Sequence, residues 1–278
     1  MRRLAAALAL GALALAADAA EPLRIVSLAP NLTELAYAAG AGDRLVGTVD
    51  YSDYPDAARA LPRVGDAWRV DPERVLELRP DLVLAWSSGT PGDTVERLRS
   101  LGLRVVSVPT FRIADVATAL RTIGRIAGTE PVASGAAEAF EAEMRRLRET
   151  HAGTRALGVF IEIDDEPLFT VNGRHIISEV VELCGGRNVF ADLPQLAPPV
   201  ALEAVLAKDP QVILTTDDTI ADPRSPWRQW PRMAAVRAGT IYSMPSDTLT
   251  RATPRLAQGA RDVCAALDDA HRRIRTGK

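Results

Sequence analysis

Two periods of apolar and polar positions alternate along the chain. Arg24-Ile-Val-Ser-Leu-Ala29 is nearly all apolar and predicts a buried strand, which Pro30-Asn31 breaks. Asn31 or Thr33 is placed to cap a helix reaching about Ala39 and stopping at Gly40. Leu45-Val-Gly-Thr-Val49 predicts a second strand. Asp71-Pro72-Glu73 opens a helix to about Leu78, with proline in the first turn and acids at the positive helix end. Leu82-Val-Leu-Ala-Trp86 is the next strand. A helix over Thr94 to Leu101, a strand over Val105 to Val108 and a helix over Val116 to Ala127 follow. Strands that are apolar without interruption, alternating with helices, belong to a parallel sheet covered on both faces.

The second half repeats the first. Gly158-Val-Phe-Ile-Glu-Ile163 predicts a strand, and Ile177 to Cys184 a helix closed by Gly185-Gly186, in the layout of Thr33 to Gly40. Val205 to Thr215 follows Val75 to Ala85 almost position for position, and Thr240 to Pro245 follows Arg104 to Pro109. Three echoes in the same order, offset by roughly 130 residues, predict two similar lobes. Between them, Val132, Ala136, Phe140, Met144 and Leu147 form a helical stripe, with Pro131 in the first turn. This predicts one long, stiff helix over Glu130 to Thr150. The expected fold is therefore α/β: two Rossmann-like lobes with parallel sheets, residues 21–128 and 153–278, joined by a connecting helix within 129–152.

Composition fits this picture. The chain has 278 residues, 47% apolar and 25% charged, with a net charge of −3. That excludes wholesale disorder and a fibrous repeat, and the absence of any Lys/Arg tract argues against a nucleic-acid partner. The first twenty residues stand apart. Met1 to Arg3 is positive, Leu4 to Ala16 is an uncharged Ala/Leu/Gly run, and Ala17-Asp18-Ala19 has the small-x-small form of a cleavage site. This is the pattern of a secretory signal peptide over residues 1–20, cut after Ala19 or Ala20. The apolar run is shorter than the roughly 20 residues a membrane-spanning helix needs. An exported chain makes Cys184 and Cys264, its only cysteines, a candidate disulfide; two buried free thiols are the alternative.

Candidate chemistry is sparse. His151, His175 and His271 are far apart, and no H-x-x-x-H or C-x-x-C occurs, so no metal site is expected. There is no G-x-S-x-G, no phosphate-binding loop of the G-x-x-x-x-G-K-[ST] type and no G-x-G-x-x-G after a strand. Asp164-Asp165-Glu166 reads as a solvated loop after a strand, although a secreted enzyme could use such carboxylates in acid–base catalysis. The aromatics are more informative. They make up only 5% of the chain, yet Tyr51, Tyr54, Trp68, Trp86 and Phe169 all fall at strand ends or in loops. Ligands of open α/β sheets bind beyond the carboxyl ends of the strands, so these rings suit a large ligand with a planar, apolar body.

These residues resemble a known family: the periplasmic cobalamin-binding proteins of bacterial vitamin importers. These belong to the helical-backbone class (class III) of substrate-binding proteins for ABC transporters. The resemblance runs over about residues 23 to 268. It rests on Ser27-Leu-Ala-Pro-Asn-Leu-Thr-Glu-Leu-Ala36, Tyr51-Ser-Asp-Tyr-Pro55, Pro80-Asp-Leu-Val-Leu-Ala-Trp86, Glu182-Leu-Cys-Gly-Gly-Arg-Asn-Val-Phe190, and Ser246-Asp247 with Arg251-Ala-Thr-Pro-Arg255. It implies a non-enzymatic, monomeric carrier with no resident cofactor. Its cargo is cobalamin or a related corrinoid, and its partners are the permease and ATPase of an inner-membrane importer. Tyr51, Trp68, Trp86 and Phe169 would pack on the corrin ring and its nucleotide tail. Asp247, opening the stretch Asp247-Thr248-Leu249-Thr250-Arg251, would reach the corrin amides. Glu73 and Glu203, one on each lobe, would pair with permease arginines, and Cys184 and Cys264 match the family's disulfide. Two departures thin the second-lobe wall: Ala197 stands where the family has a tryptophan, and Thr248-Leu249 where it has an aromatic pair. The Ser27-Leu-Ala-Pro-Asn-x-Thr-Glu34 opening is shared with haem and iron-siderophore binders of the same fold. In that alternative Tyr51 would be an axial phenolate.

Overall fold

A computed structural model describes residues 22–66, 68–216, 222–224 and 226–276; the expected signal peptide and its cleavage site lie outside these. In the first lobe, strands β1 (Ile25–Ser27), β2 (Leu45–Gly47), β3 (Leu82–Trp86) and β4 (Val105–Val108) form one parallel sheet in the order β2-β1-β3-β4. Helices α1 (Pro30–Ala38), α2 (Pro72–Glu77), α3 (Gly92–Ser100) and α4 (Ile113–Ala127) cover it. Side chains of a strand point alternately to its two faces. Accordingly Leu82 and Leu84 enter one apolar cluster, while Val83 and Ala85 enter another on the opposite face. Burial on both faces is why the strand sequences carry no polar alternation.

Helix α5 (Glu130–Thr150) then leads into the second lobe. Strand β5 (Leu157–Glu162) is followed by a short antiparallel hairpin, β6 (Asp164–Asp165) with β7 (Leu168–Phe169). Next come α6 (Ile176–Leu183), β8 (Gly186–Asn188), α7 (Leu202–Lys208), β9 (Val212–Thr215), α8 (Ala234–Ala238), β10 (Ile241–Ser243), α9 (Ser246–Leu249) and α10 (Leu256–Thr276). The second parallel sheet has the order β10-β9-β5-β8. Numbered within its own lobe, each sheet reads second-first-third-fourth, so the two share one topology. The repeated segments fall on matching elements: α1 with α6, α2 and β3 with α7 and β9, β4 with β10.

Several boundaries differ from the sequence expectation, each for a physical reason. Neither Asn31 nor Thr33 caps α1. Pro30 takes the first turn, the cap position is Ala29, and Thr33 Oγ1 instead bonds back to the Ala29 carbonyl at 3.2 Å. Asp71 does cap α2, accepting from the amides of Glu73 and Arg74. The α5 stripe is rotated in its first turns: Ala133 and Ala137 are buried, whereas Val132 is exposed. A run of steps of four drifts around a helix of 3.6 residues per turn, and alternating steps of four and three hold one face. Asp164 and Asp165 pair in the hairpin rather than forming a loop. Helix α10 goes beyond the sequence expectation, though Leu256, Ala260, Val263, Leu267 and Ala270 follow the same alternation and are buried.

One apolar cluster runs through both lobes, from Ile25 and Leu84 through Phe140 and Met144 of α5 to Ile161 and Leu267. The lobes therefore share packing along the connecting helix. Cys184, at the end of α6, is bonded to Cys264 of α10, so the crosslink lies wholly within the second lobe. It closes a loop with a sequence separation of 80. By chain entropy such a closure contributes about 4.5 kcal/mol. Replacing both residues, Cys184→Ala with Cys264→Ala, is expected to lower the unfolding free energy by about 3 to 4.5 kcal/mol, read from urea denaturation at pH 7.

Candidate functional site

The carboxyl ends of β1, β3 and β4 turn toward the second lobe, and a cleft of about 360 Å³ opens there. On the first-lobe side it is lined by Pro30, Asn31, Trp86, Ser88, Thr110 and Phe111. Trp86 ends β3, and its indole Nε1 donates to Thr110 Oγ1 at 2.7 Å. The same oxygen accepts from Asn31 Nδ2 at 3.2 Å. Gly89 packs against the ring so closely that an added Cβ would lie 1.9 Å from it. The Trp86 ring is thus held by a hydrogen bond at its edge and backbone against its benzo ring, with one hydroxyl tying it to the start of α1.

The loop bearing Tyr51 is anchored from beneath. Thr33 of α1 lies 2.6 Å from Thr48 across their hydroxyls, Thr48 donates to Ser52 Oγ at 2.8 Å, and Thr33 reaches Ser27 Oγ at 3.0 Å. All four side chains are buried. The Arg63 guanidinium holds the same loop through the Ser52 carbonyl at 3.0 Å. This leaves Tyr51 in the left-handed region (φ 63°), with 79% of its surface exposed. Trp68 is 68% exposed, in a turn where Asp66 accepts from the amides of Trp68 and Arg69. Neither ring is part of the cleft lining itself.

Arg174, His175, Ile176, Leu196, Thr250, Arg251 and Ala252 line the second-lobe side. His175 caps α6: its Nδ1 accepts from the Ile177 amide at 3.2 Å, which places the ring proton on Nε2. Thr250 is exposed, with its hydroxyl bonded to the Ser246 carbonyl at 2.8 Å. The rest of the expected stretch faces elsewhere. Leu249 is 0% exposed and belongs to the core, so its side chain does not reach the cleft. Thr248 presses its carbonyl against Gly259 of α10, where a Cβ would come within 2.4 Å, and its hydroxyl returns to Pro245. Phe169 is half-buried on the hairpin and bridges Pro199. Asp247 is held by Arg251 at 2.8 Å.

Two ionic junctions cross between the lobes beside this cleft. In the first, Glu34 of α1, with a side chain only 2% exposed, binds Arg251 at 3.0 Å and Arg255 at 2.9 and 2.5 Å. Asp53 joins at 2.9 Å from Arg251, and the Arg255 guanidinium lies over the Tyr54 ring at 4.1 Å. Burial would raise the Asp53 carboxyl, but the Arg251 hydrogen bond and charge outweigh it and hold it below its usual value. In the second junction, Glu179 of α6 accepts from the Ile113 amide at 2.9 Å and from the Arg112 guanidinium at 3.3 Å, satisfying a free N–H at the start of α4. The cleft residues that sequence reasoning missed include Asn31, Thr110, Phe111, Arg174, His175 and Leu196. Phe111 follows the carboxyl end of β4, so the rule that flagged Trp86 could have found it.

His175 also sets a pH response. Burial lowers its pKa from 6.5 to about 4. Between these values the unfolded chain binds a proton that the folded chain refuses. Stability therefore falls as pH drops from 6.5 toward 4, by about 3 kcal/mol for this group. His175→Asn keeps a capping acceptor but cannot titrate. The wild-type minus variant difference in unfolding free energy should shrink by that amount across this window, measured by denaturation at successive pH values.

Comparison with known proteins agrees with this architecture. Residues 25–248 match the model of the periplasmic binding protein family. The vitamin B12-binding protein of Vibrio cholerae is 37% identical over 245 residues, 88% of each chain. That of Yersinia pestis is 36% identical over 267 residues, 95% of this chain and 92% of its own. Among solved structures, the periplasmic vitamin B12 binding protein of Vibrio cholerae has a TM-score of 0.83 at 36% identity, covering 89% of this chain and 97% of that one. A periplasmic heme-binding protein of Roseiflexus sp. RS-1 has a TM-score of 0.79 at 24% identity, over 89% of this chain and 98% of its own, a likeness of fold alone. Among the described residues no helix is long and apolar enough to cross a membrane. Sharing sequence and topology along nearly its whole length with these proteins, the chain belongs to the periplasmic binding protein family.

Proposed function

We propose that this chain is an exported, periplasmic carrier that captures cobalamin or a related corrinoid between its lobes and hands it, unchanged, to an ABC importer. The observation that carries the reading is the cleft at the carboxyl ends of β1, β3 and β4, where the Trp86 ring is fixed before any ligand arrives. A ring already immobilised loses little side-chain entropy on binding, and stacking on a planar macrocycle then yields most of its burial energy, about 25 cal/mol per Å². The vitamin B12-binding relatives at 33–37% identity support the same ligand. Phe111 adds an exposed ring to the lining, and Tyr51 and Trp68, exposed but outside it, are the further ring contacts proposed for the bound macrocycle. Thr250 and Arg251 supply polar contacts from the other lobe, and Asp247 and Phe169 meet the periphery of the bound macrocycle. The reading assigns the protein no catalytic step and no cofactor of its own.

Glu73 and Glu203 are the proposed docking residues. Each is exposed in the first turn of its helix, α2 or α7, and these helices precede the matching strands β3 and β9. Two acids at equivalent places on two lobes form a paired mark that a two-fold permease could read.

Calorimetric titration with cyanocobalamin tests the ligand: a saturable one-to-one isotherm is expected, and no heat together with no rise in melting temperature would refute it. Trp86→Ala is expected to weaken binding more than tenfold, about 1.4 kcal/mol or more. Glu73→Arg combined with Glu203→Arg should leave the cyanocobalamin isotherm intact and abolish uptake in a reconstituted transport assay; normal uptake would remove the docking role.

A further inference from the structure

We infer that the cleft discriminates against negative charge on its ligand, favouring an amide-bearing rim over a carboxylate-bearing one, and that Asp53 and Asp247 set this preference by neutralising Arg251. The inference rests on the corrinoid reading above and adds a specificity mechanism to it.

Arg251 lines the cleft and is the side chain best placed on the second lobe to attract an anion. It is already committed. Its Nη1 donates to Glu34 at 3.0 Å and to Asp53 at 2.9 Å, and its Nη2 lies 2.8 Å from Asp247. Arg255 shares Glu34. This junction alone therefore holds two positive and three negative charges. The other cation in the lining, Arg174, donates to the Pro194 carbonyl, and adding it brings the set to zero. On the opposite wall, the Arg112 charge beside Phe111 is met by Glu179. His175 is neutral at pH 7 and presents a donor at Nε2.

A carboxylate entering such a cleft gives up its hydration and meets guanidinium charge that three acids already balance. A carboxamide carries no charge to desolvate. Its oxygen can accept from His175 or from the N–H groups of Arg251 other than the two on Nη1 that Glu34 and Asp53 occupy, and its NH2 can donate to Thr250 Oγ1. The acids thus act as the repulsive element of the specificity, while the neutral His175 donor and the Thr250 oxygen supply polar contacts that carry no charge. Haem, whose rim carries two propionates, falls on the rejected side.

The probes are cyanocobalamin and its monocarboxylate derivatives, in which one peripheral corrin propionamide is hydrolysed, so that shape is kept and one negative charge is added. For the wild type, the dissociation constant of the monocarboxylate should exceed that of cyanocobalamin at least tenfold at low salt, about 1.4 kcal/mol, and the ratio should narrow as ionic strength rises. Asp53→Asn and Asp247→Asn, each tested alone, should cut the ratio at least threefold, whereas Arg174→Gln should widen it. A wild-type ratio near one, or a ratio unmoved in both asparagine variants, overturns the charge filter while leaving the corrinoid reading intact. Failure of the wild type to bind cyanocobalamin overturns both.

Discussion

The lobes are held in register by one carboxylate. Glu34 sits almost without solvent at the junction and is met by two guanidinium groups from the far end of the chain, more than 200 positions away in sequence. A charge so placed is tolerable only while its partners stay, because removing one side of a buried pair costs about 3 to 5 kcal/mol. Several other features follow from it. Arg251 is pinned against the cleft, Asp53 is drawn in from the aromatic loop, and Tyr54 lies beneath Arg255. The charge balance of the cleft wall traces back to the same anion.

A second constraint acts along the opposite edge. Glu179 reaches from α6 to the first amide of α4, and α5 threads a continuous apolar cluster through both halves. The disulfide takes no part in this, since both of its ends belong to the second lobe. The opening between the lobes is therefore set by noncovalent charge and packing. A cleft built this way is held in shape by its own contacts, independently of any ligand.

Much of this was legible in the residues. Apolar strands such as Leu82 to Ala85 and the echo at Val212 to Thr215 revealed covered parallel sheets and two like lobes, because burial on both faces leaves no room for polar alternation. Trp86 could be picked out because it ends a strand. The rest depends on tertiary contact. No local pattern shows that Leu249, the last residue of α9, turns inward while Thr250, which caps it, stays at the cleft. Nor does sequence show that Asn31 serves a tryptophan instead of a helix end, or that Glu34, in a helix whose neighbours are apolar, finds its counter-charges in the last third of the chain. Long-range ion pairs carry no periodic signal, and here they fix Arg251 in the cleft wall.

Thr110 has a small consequence of its own. A hydroxyl oxygen has two lone pairs, and here both face nitrogens, one from Asn31 and one from Trp86. Neither neighbour can take the hydroxyl hydrogen, since each is itself a giver. That hydrogen must rotate away from the indole and the amide. A single threonine thus turns two inward-facing donors into one redirected donor, at the foot of the tryptophan on which a flat guest would rest.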